Sequence, residues 1–164
     1  MSLCIFPGSF DPITRGHLNL IERAAAIFDE VIVTVMVNRS KEGTIPYEER
    51  ARIIRKACAD YPNVRAELWK GLLADYAREH PGSTVVRGIR SASEFSQELQ
   101  AADMNRKLCP SLETVFLPAA PEWSGLSSSA VREIASFGGD VRPFVPERVC
   151  EDILKWLGHK GQKD

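Results

Sequence analysis

No run in the chain approaches the roughly 20 consecutive apolar residues that span a bilayer, and no basic segment precedes the strand-like start Leu3-Cys4-Ile5-Phe6. A membrane partner is therefore not expected, and a cytoplasmic location is. Cysteine is sparse: Cys4, Cys58, Cys109 and Cys150 are far apart and lack the paired C-x-x-C spacing of zinc or redox sites. They read as four buried or half-buried thiols. A formal net charge of −1 removes the bulk positive potential with which nucleic-acid binders attract phosphate backbones, so no nucleic-acid partner is expected. Also missing are a G-x-x-x-x-G-K-[ST] phosphate loop, a G-x-G-x-x-G dinucleotide fingerprint, a Ser-His-Asp arrangement and a protein-only metal spacing. There is no repeat, linker or low-complexity tract.

What remains is a chain of 164 residues, 44% hydrophobic and 26% charged, long enough for one real core and short for two. One domain over residues 1–158 is expected, followed by a polar tail over 159–164. Strand-like runs cover Leu3 to Phe6, Glu30 to Val37, Val64 to Leu68, Thr84 to Arg87 and Glu113 to Leu117. Helical periodicity fills the gaps. Leu18, Ile21, Ala25 and Phe28 share one face of the first helix, and Ile53, Ile54, Ala57 and Cys58 one face of a second near Tyr47 to Asp60, whose "EERARIIRK" run reads as a solvated face. Further helices are expected over Leu72 to Glu79, Ser93 to Leu108, from about Ser127, and over Glu147 to Leu157. The alternation predicts an α/β fold: a doubly wound, Rossmann-like, five-stranded parallel sheet with helices on both faces. Its ligand site should lie beyond the carboxyl ends of the strands, where strand order reverses.

The polar residues suited to such a site fall at those ends. Arg15, Arg39, Lys41, Arg87 and Arg90 lie at or just past apolar strand-like runs, where loops would gather them around a small anion. In "PGSFDPITRGH", residues 7–17, Gly8 lets the backbone turn close to a ligand, Ser9 offers a hydroxyl, and His17 falls in the first turn of a helix, whose free N–H groups favour phosphate. The alternative is an Asp-Pro turn and a histidine that decorates a helix. "VVRGIRS", residues 85–91, sets Arg87 and Arg90 around Gly88, either as forked donors for phosphate or as partners in surface ion pairs. "WSGLSSS", residues 123–129, puts three serines before a helical pattern, where one would suffice as a cap. Lys41 is either an exposed loop lysine or a mobile cation over a phosphate. Together these favour positioning and charge neutralisation of phosphates over covalent chemistry.

Residues 7–17 resemble the G-x-F-D-x-x-x-x-G-H signature of the nucleotidyltransferase superfamily, and "WSGLSSS" its serine-rich second signature. "RSK" at 39–41, "GLLADYA" at 71–77, "VVRGIR" at 85–90, "QELQAADMNRKL" at 97–108 and "DVRPFVPERV" at 140–149 narrow the resemblance to the bacterial phosphopantetheine adenylyltransferases. That resemblance covers nearly the whole chain. It implies reversible transfer of the adenylyl group of ATP to 4'-phosphopantetheine, giving dephospho-coenzyme A and pyrophosphate in the penultimate step of coenzyme A synthesis. It also implies Mg2+ brought in on the ATP phosphates, a homo-oligomer, commonly a hexamer, and coenzyme A itself as a further candidate ligand.

Carried over position by position, the resemblance implies catalytic roles for His17, Lys41 and Arg90, and acceptor contacts from Ser9, Lys41, Leu73 and Arg87. For ATP it implies Ser9, Phe10, His17, Gly88, Ile89, Arg90, Glu98, Trp123, Ser124, Gly125, Leu126, Ser127, Ser128 and Ser129. Ser9 stands where many members carry threonine, and Gln97 where some carry an aromatic residue. Two other readings stay open: a nucleotidyltransferase with another phosphate acceptor, such as nicotinamide mononucleotide, and a non-catalytic nucleotide or coenzyme A binding module.

Overall fold

The structure is a computed structural model that describes residues 1–38, 40, 41 and 43–158. Arg39 and the polar tail at 159–164 lie outside the described residues. Five strands, β1 (Leu3–Gly8), β2 (Glu30–Met36), β3 (Val64–Trp69), β4 (Ser83–Ile89) and β5 (Glu113–Pro118), form one parallel sheet in the order β3-β2-β1-β4-β5. The helices are α1 (Arg15–Ile27), α2 (Tyr47–Ala57), α3 (Leu73–Glu79), α4 (Ala92–Leu108), α5 (Ser128–Ser136) and α6 (Cys150–Leu157).

β1 and β2 are buried along nearly their whole length, which only a sheet covered on both sides allows. Their side chains divide by parity between two cores. Cys4, Phe6, Val31, Val33 and Val35 enter the larger one with residues of α1, α2, α5 and α6, while Ile5, Ile32 and Val85 turn to the other face against Ala74, Tyr76 and Ala77 of α3. All four cysteines are buried and unpaired, and burial pushes the thiols of Cys4 and Cys58 up to about 12. They are packing residues, as their spacing suggested.

Three details differ from the sequence-based expectations. The centre of the buried face of α1 is Leu20, Ile21 and Ala24, with Leu18, Ala25 and Phe28 packed only partly against the same core. Glu147 to Leu157 is not one helix: a 3-10 turn at Glu147–Val149 leads into α6. The charged run on α2 is not simply solvated. Arg50 is 3% exposed and inside the fold, while Arg52 and Lys56 both reach Asp152 of α6, at 2.9 and 2.7 Å. Those two pairs lower the Asp152 carboxyl from its ordinary value, through hydrogen bonds first from Lys56 and then from Arg52.

The arrangement of the central strands creates the site. β1 pairs with β2 as far as Gly8, and β4 with β5 as far as Ile89, but the β1–β4 ladder ends at Ile5 opposite Val85. Beyond that point the two inner strands part, at the place where strand order reverses. Residues 6–8 and 86–88 face each other across the gap, and the Arg87 guanidinium spans it to the Pro7 carbonyl, 2.6 Å from Nη1.

Candidate functional site

Two cavities open at this divide. The first, about 200 Å³, is lined by Ser9, Phe10, His17, Gly88, Arg90, Trp123, Leu126, Ser127 and Ser128. The second, about 320 Å³, is lined by Met36, Asn38, Leu73, Val85, Glu98, Ala102 and Asn105. Pro7, Gly8, Ser9 and Arg87 line both. A group passing from a ligand in one to a ligand in the other would cross between Ser9 and Arg87.

His17 enters the first cavity through local chain chemistry. Thr14 is the N-cap of α1, and its hydroxyl accepts the His17 N–H at 3.2 Å. In return the Thr14 backbone N–H donates to His17 Nδ1 at 3.0 Å, completing a capping box in which histidine takes the usual Glu or Gln position. A backbone N–H can only donate, so Nδ1 carries no proton and the neutral ring keeps its hydrogen on Nε2. Burial pulls the imidazole down to about 4, with Arg90 and then Arg87 adding repulsion, so His17 is neutral at physiological pH. It is a fixed N–H donor and not a cation. The Phe10 ring sits edge-on to it, centroids 5.1 Å apart, held there by a backbone φ of +47°. Gly8 leaves room for it, because a Cβ there would lie 3.0 Å from the Phe10 ring and press on it.

Both arginines of the "RGIR" stretch are paired with α4. Glu98 receives Arg87 Nε and Nη2 at 2.9 and 2.7 Å, and Glu94 receives Arg90 Nε at 2.9 Å. Arg90 Nη1 also donates to the Leu126 carbonyl at 2.6 Å, fixing the start of the serine segment. Glycine between the arginines has a packing reason: a Cβ on Gly88 would lie 2.3 Å from Leu20 Cδ1, so the end of that side chain would have to shift where α1 meets β4.

The serine run divides its labour. Ser127 is the N-cap of α5 and accepts from the Ala130 N–H at 3.1 Å. Ser128 donates to the Pro12 carbonyl at 2.7 Å, and Ser129, away from the cavity, accepts from Arg132 at 3.2 Å. Arg132 also donates to the Asp11 carbonyl at 2.6 Å, so α5 is clamped to the loop that carries Ser9 and His17. Both Ser127 and Ser128 still line the first cavity.

Several residues named from the sequence fall elsewhere. Ile89, Ser124, Gly125 and Ser129 line neither cavity. Glu98, grouped with the ATP residues by resemblance, lines the second cavity beside Leu73. Lys41 is exposed on the loop after β2 and lines neither. Arg15 turns away, donating to the Arg142 carbonyl at 3.3 Å.

Sequence reasoning passed over Thr14, Glu94, Asp11 and Arg50. Thr14 was findable, because Thr three residues before a polar residue at a helix start is capping-box spacing. Glu94 and Glu98, one helical turn apart after two arginines, were findable as charge complements. Arg50 was findable too, because it lies three, four and seven residues before Ile53, Ile54 and Ala57, on the apolar face of α2, whereas Arg52 and Arg55 fall off that face.

Among known families, the Cytidylyltransferase-like family matches residues 5–134. A phosphopantetheine adenylyltransferase of Clostridium novyi (strain NT) is 46% identical over 158 residues, covering 96% of this chain and 98% of that protein. One from Rubrobacter xylanophilus is 51% identical over 153 residues, covering 93% of each. Among solved structures, a putative nicotinate-nucleotide adenylyltransferase from Vibrio parahaemolyticus superposes with a TM-score of 0.69 at 17% identity over 99% of this chain and 98% of that one, a likeness of fold. Sequence identity at that level over nearly the full length, on a sheet that divides where the signature loop lies, makes the chain a member of the phosphopantetheine adenylyltransferase family.

Proposed function

We propose that this chain transfers the adenylyl group of ATP to the phosphate of 4'-phosphopantetheine, giving dephospho-coenzyme A and pyrophosphate, the penultimate step of coenzyme A synthesis. The observation that carries this reading is the pair of cavities meeting at Ser9 and Arg87, one rich in phosphate-suited donors and one largely apolar with two amides. ATP occupies the first and the acceptor the second.

An oxygen of the acceptor phosphate attacks the α-phosphorus of ATP in line. The new O–P bond forms as the bond from that phosphorus to the bridging oxygen breaks, and pyrophosphate leaves with the electron pair. No general base is needed, because the attacking phosphate is already an anion. Arg87 and Lys41 hold the acceptor phosphate, Lys41 through its long exposed side chain. His17 supplies its Nε2–H to the α-phosphate as charge spreads over it, and Arg90 with the start of α5 receives the leaving group. Arg87 and Arg90 exchange carboxylate partners for phosphate oxygens as the substrates enter.

Magnesium is part of the proposed reaction, but the described residues offer it no ligand set of their own. Glu94 is the carboxylate lining the nucleotide cavity and it already pairs with Arg90, and no metal-holding group of three or more His, Cys, Asp or Glu occurs among the described residues. Magnesium would therefore be held by the nucleotide's own phosphates, and no step above is routed through it.

The protein acts as a homo-oligomer, a hexamer by family habit, in the cytoplasm. Support for association is α4, which has no buried residue in the isolated chain and exposes Phe95, Leu99, Met104 and Leu108, with Val115 of β5 also open. Among the described residues no helix is long and apolar enough to cross a membrane. Sedimentation equilibrium of the purified chain tests the assembly.

The activity test is pyrophosphate release from ATP and magnesium with each acceptor in turn. Release with 4'-phosphopantetheine, and not with nicotinamide mononucleotide, is expected. Release only with the latter, or nucleotide binding without release, would overturn the proposal.

A further inference from the structure

The reaction needs the acceptor phosphate and the α-phosphorus in line, yet the groups assigned to them sit on separate segments: Ser9 just past β1 and His17 in the first turn of α1, Lys41 between β2 and α2. A near-continuous set of polar contacts joins these segments beneath the cavities. Asp11, 5% exposed, accepts the Thr44 and Ile45 N–H groups, each at 2.9 Å, and lies 3.4 Å from Arg50 Nη2. Arg50 donates to the Ser9 carbonyl at 3.1 Å and the Ile45 carbonyl at 2.7 Å. Its guanidinium carbon sits 4.2 Å from the Tyr47 ring centre. The Tyr47 hydroxyl accepts the Asn38 N–H at 3.2 Å and lies within donor reach of the Asn38 and Lys41 carbonyls, at 3.2 and 3.3 Å.

We propose that Arg50 and Tyr47, with Asp11, are positioning residues that set the backbone carrying Lys41 in register with the backbone carrying Ser9. None of the three needs to touch substrate. Ser9 lines both cavities while its carbonyl is fixed from below by Arg50, and Lys41, whose side chain is exposed, has its backbone carbonyl within reach of Tyr47. A forked, permanently charged donor suits the central post, because it binds one carbonyl on each loop while facing the carboxylate that binds the other loop's N–H groups. A lysine at that position keeps the charge and cannot hold both carbonyls in the same geometry.

The inference rests on the role proposed for Lys41, and the test separates the two. Tyr47→Phe removes one hydroxyl and keeps the ring under Arg50. In the full-length enzyme it should lower kcat about three- to tenfold while the KM values for ATP and 4'-phosphopantetheine stay within about twofold, because the ligands still bind and only their alignment suffers. Thermal unfolding should barely move. In a Lys41→Ala background the same substitution should change kcat less than about twofold, since a group acting through the Lys41 loop has nothing left to align. Arg50→Lys should show the same dependence on Lys41 with a larger loss.

If Lys41→Ala alone leaves kcat intact, the Lys41 assignment falls and this inference with it. If Lys41→Ala is impaired but Tyr47→Phe is silent, only this inference falls. Equal losses from Tyr47→Phe with and without Lys41 would also overturn it, because a purely structural residue gives that result.

Discussion

His17, Arg90, Ser127 and Ser128 wall one cavity, while Met36, Leu73, Val85 and Ala102 wall the other, with the amides of Asn38 and Asn105 set among them. The first surface is held rigid by a capping box, a serine cap and the Arg90–Glu94 pair, while the Arg87–Glu98 pair lies on the border, with Glu98 lining the second cavity. The second has few polar groups to fix. A triphosphate undergoing substitution gains from donors that need not reorganise, whereas a long acceptor chain bearing little charge gains from apolar area and a few amides. The same strand divide therefore serves two kinds of recognition, and Arg87 stands between them.

The largest effect that could break this contrast is loss of the His17 donor. His17→Ala should lower kcat by a factor on the order of 10² to 10³ or more, but it also removes half of the Thr14 capping box and so costs on the order of 1 kcal/mol of stability. His17→Gln separates the two roles, because glutamine at that position is an ordinary capping-box residue. It should keep the unfolding temperature of the parent and still lose turnover, read by a pyrophosphate-release assay beside calorimetry. Near-parental turnover in His17→Gln would remove the imidazole from the charged side of the comparison.

A smaller and more selective effect is expected on the apolar side. Ala102 lines the acceptor cavity from α4, and Ala102→Leu would fill part of that space without reaching the nucleotide cavity. The KM for 4'-phosphopantetheine should rise about tenfold, in the range one or two displaced methylene contacts provide, with the KM for ATP unchanged. An equal rise in both constants would mean that the cavities do not divide the substrates.

The two sides were not equally legible in the sequence. The nucleotide side depends on contiguous segments, residues 7–17, 85–91 and 123–129, in which glycine, serine, arginine and histidine announce a phosphate loop before any fold is known. The strands were found nearly to the residue because β1 and β2 are buried on both faces and read as unbroken apolar runs. The acceptor side is assembled from the ends of β1 and β2, the start of α3 and one edge of α4, contributing small or apolar residues that look like any core. α4 hid its role further, since alanines and asparagine facing a cavity have no periodicity that separates them from a solvated face. For Arg50 the helical spacing to Ile53, Ile54 and Ala57 marks the buried face, but its partners Asp11 and Ser9 are a long-range fact absent from the local charge pattern.

The smallest expected effect is a titration that should not appear where an ordinary histidine would show one. Burial, Arg90 and Arg87 pull His17 down to about 4 from an ordinary 6.5, so at pH 6 about 1% of the folded enzyme would carry the imidazolium, where an unperturbed ring would be about three-quarters protonated. In the unfolded chain the same ring takes up its proton between those two values, so the unfolded state binds more protons across that window and stability falls as pH drops from 6.5 toward 4. Well above 6.5 both states hold a neutral ring and the pH dependence from His17 dies away. Nitrogen-15 NMR of the imidazoles reads both the tautomer and the titration, with His17→Gln assigning the signal among the three histidines. The expected spectrum has a protonated Nε2 and a bare Nδ1 that persist unchanged from pH 8 to pH 5. A midpoint near 6.5 would instead make His17 a cation for part of the physiological range, and the donor on the nucleotide side would then be switchable rather than fixed.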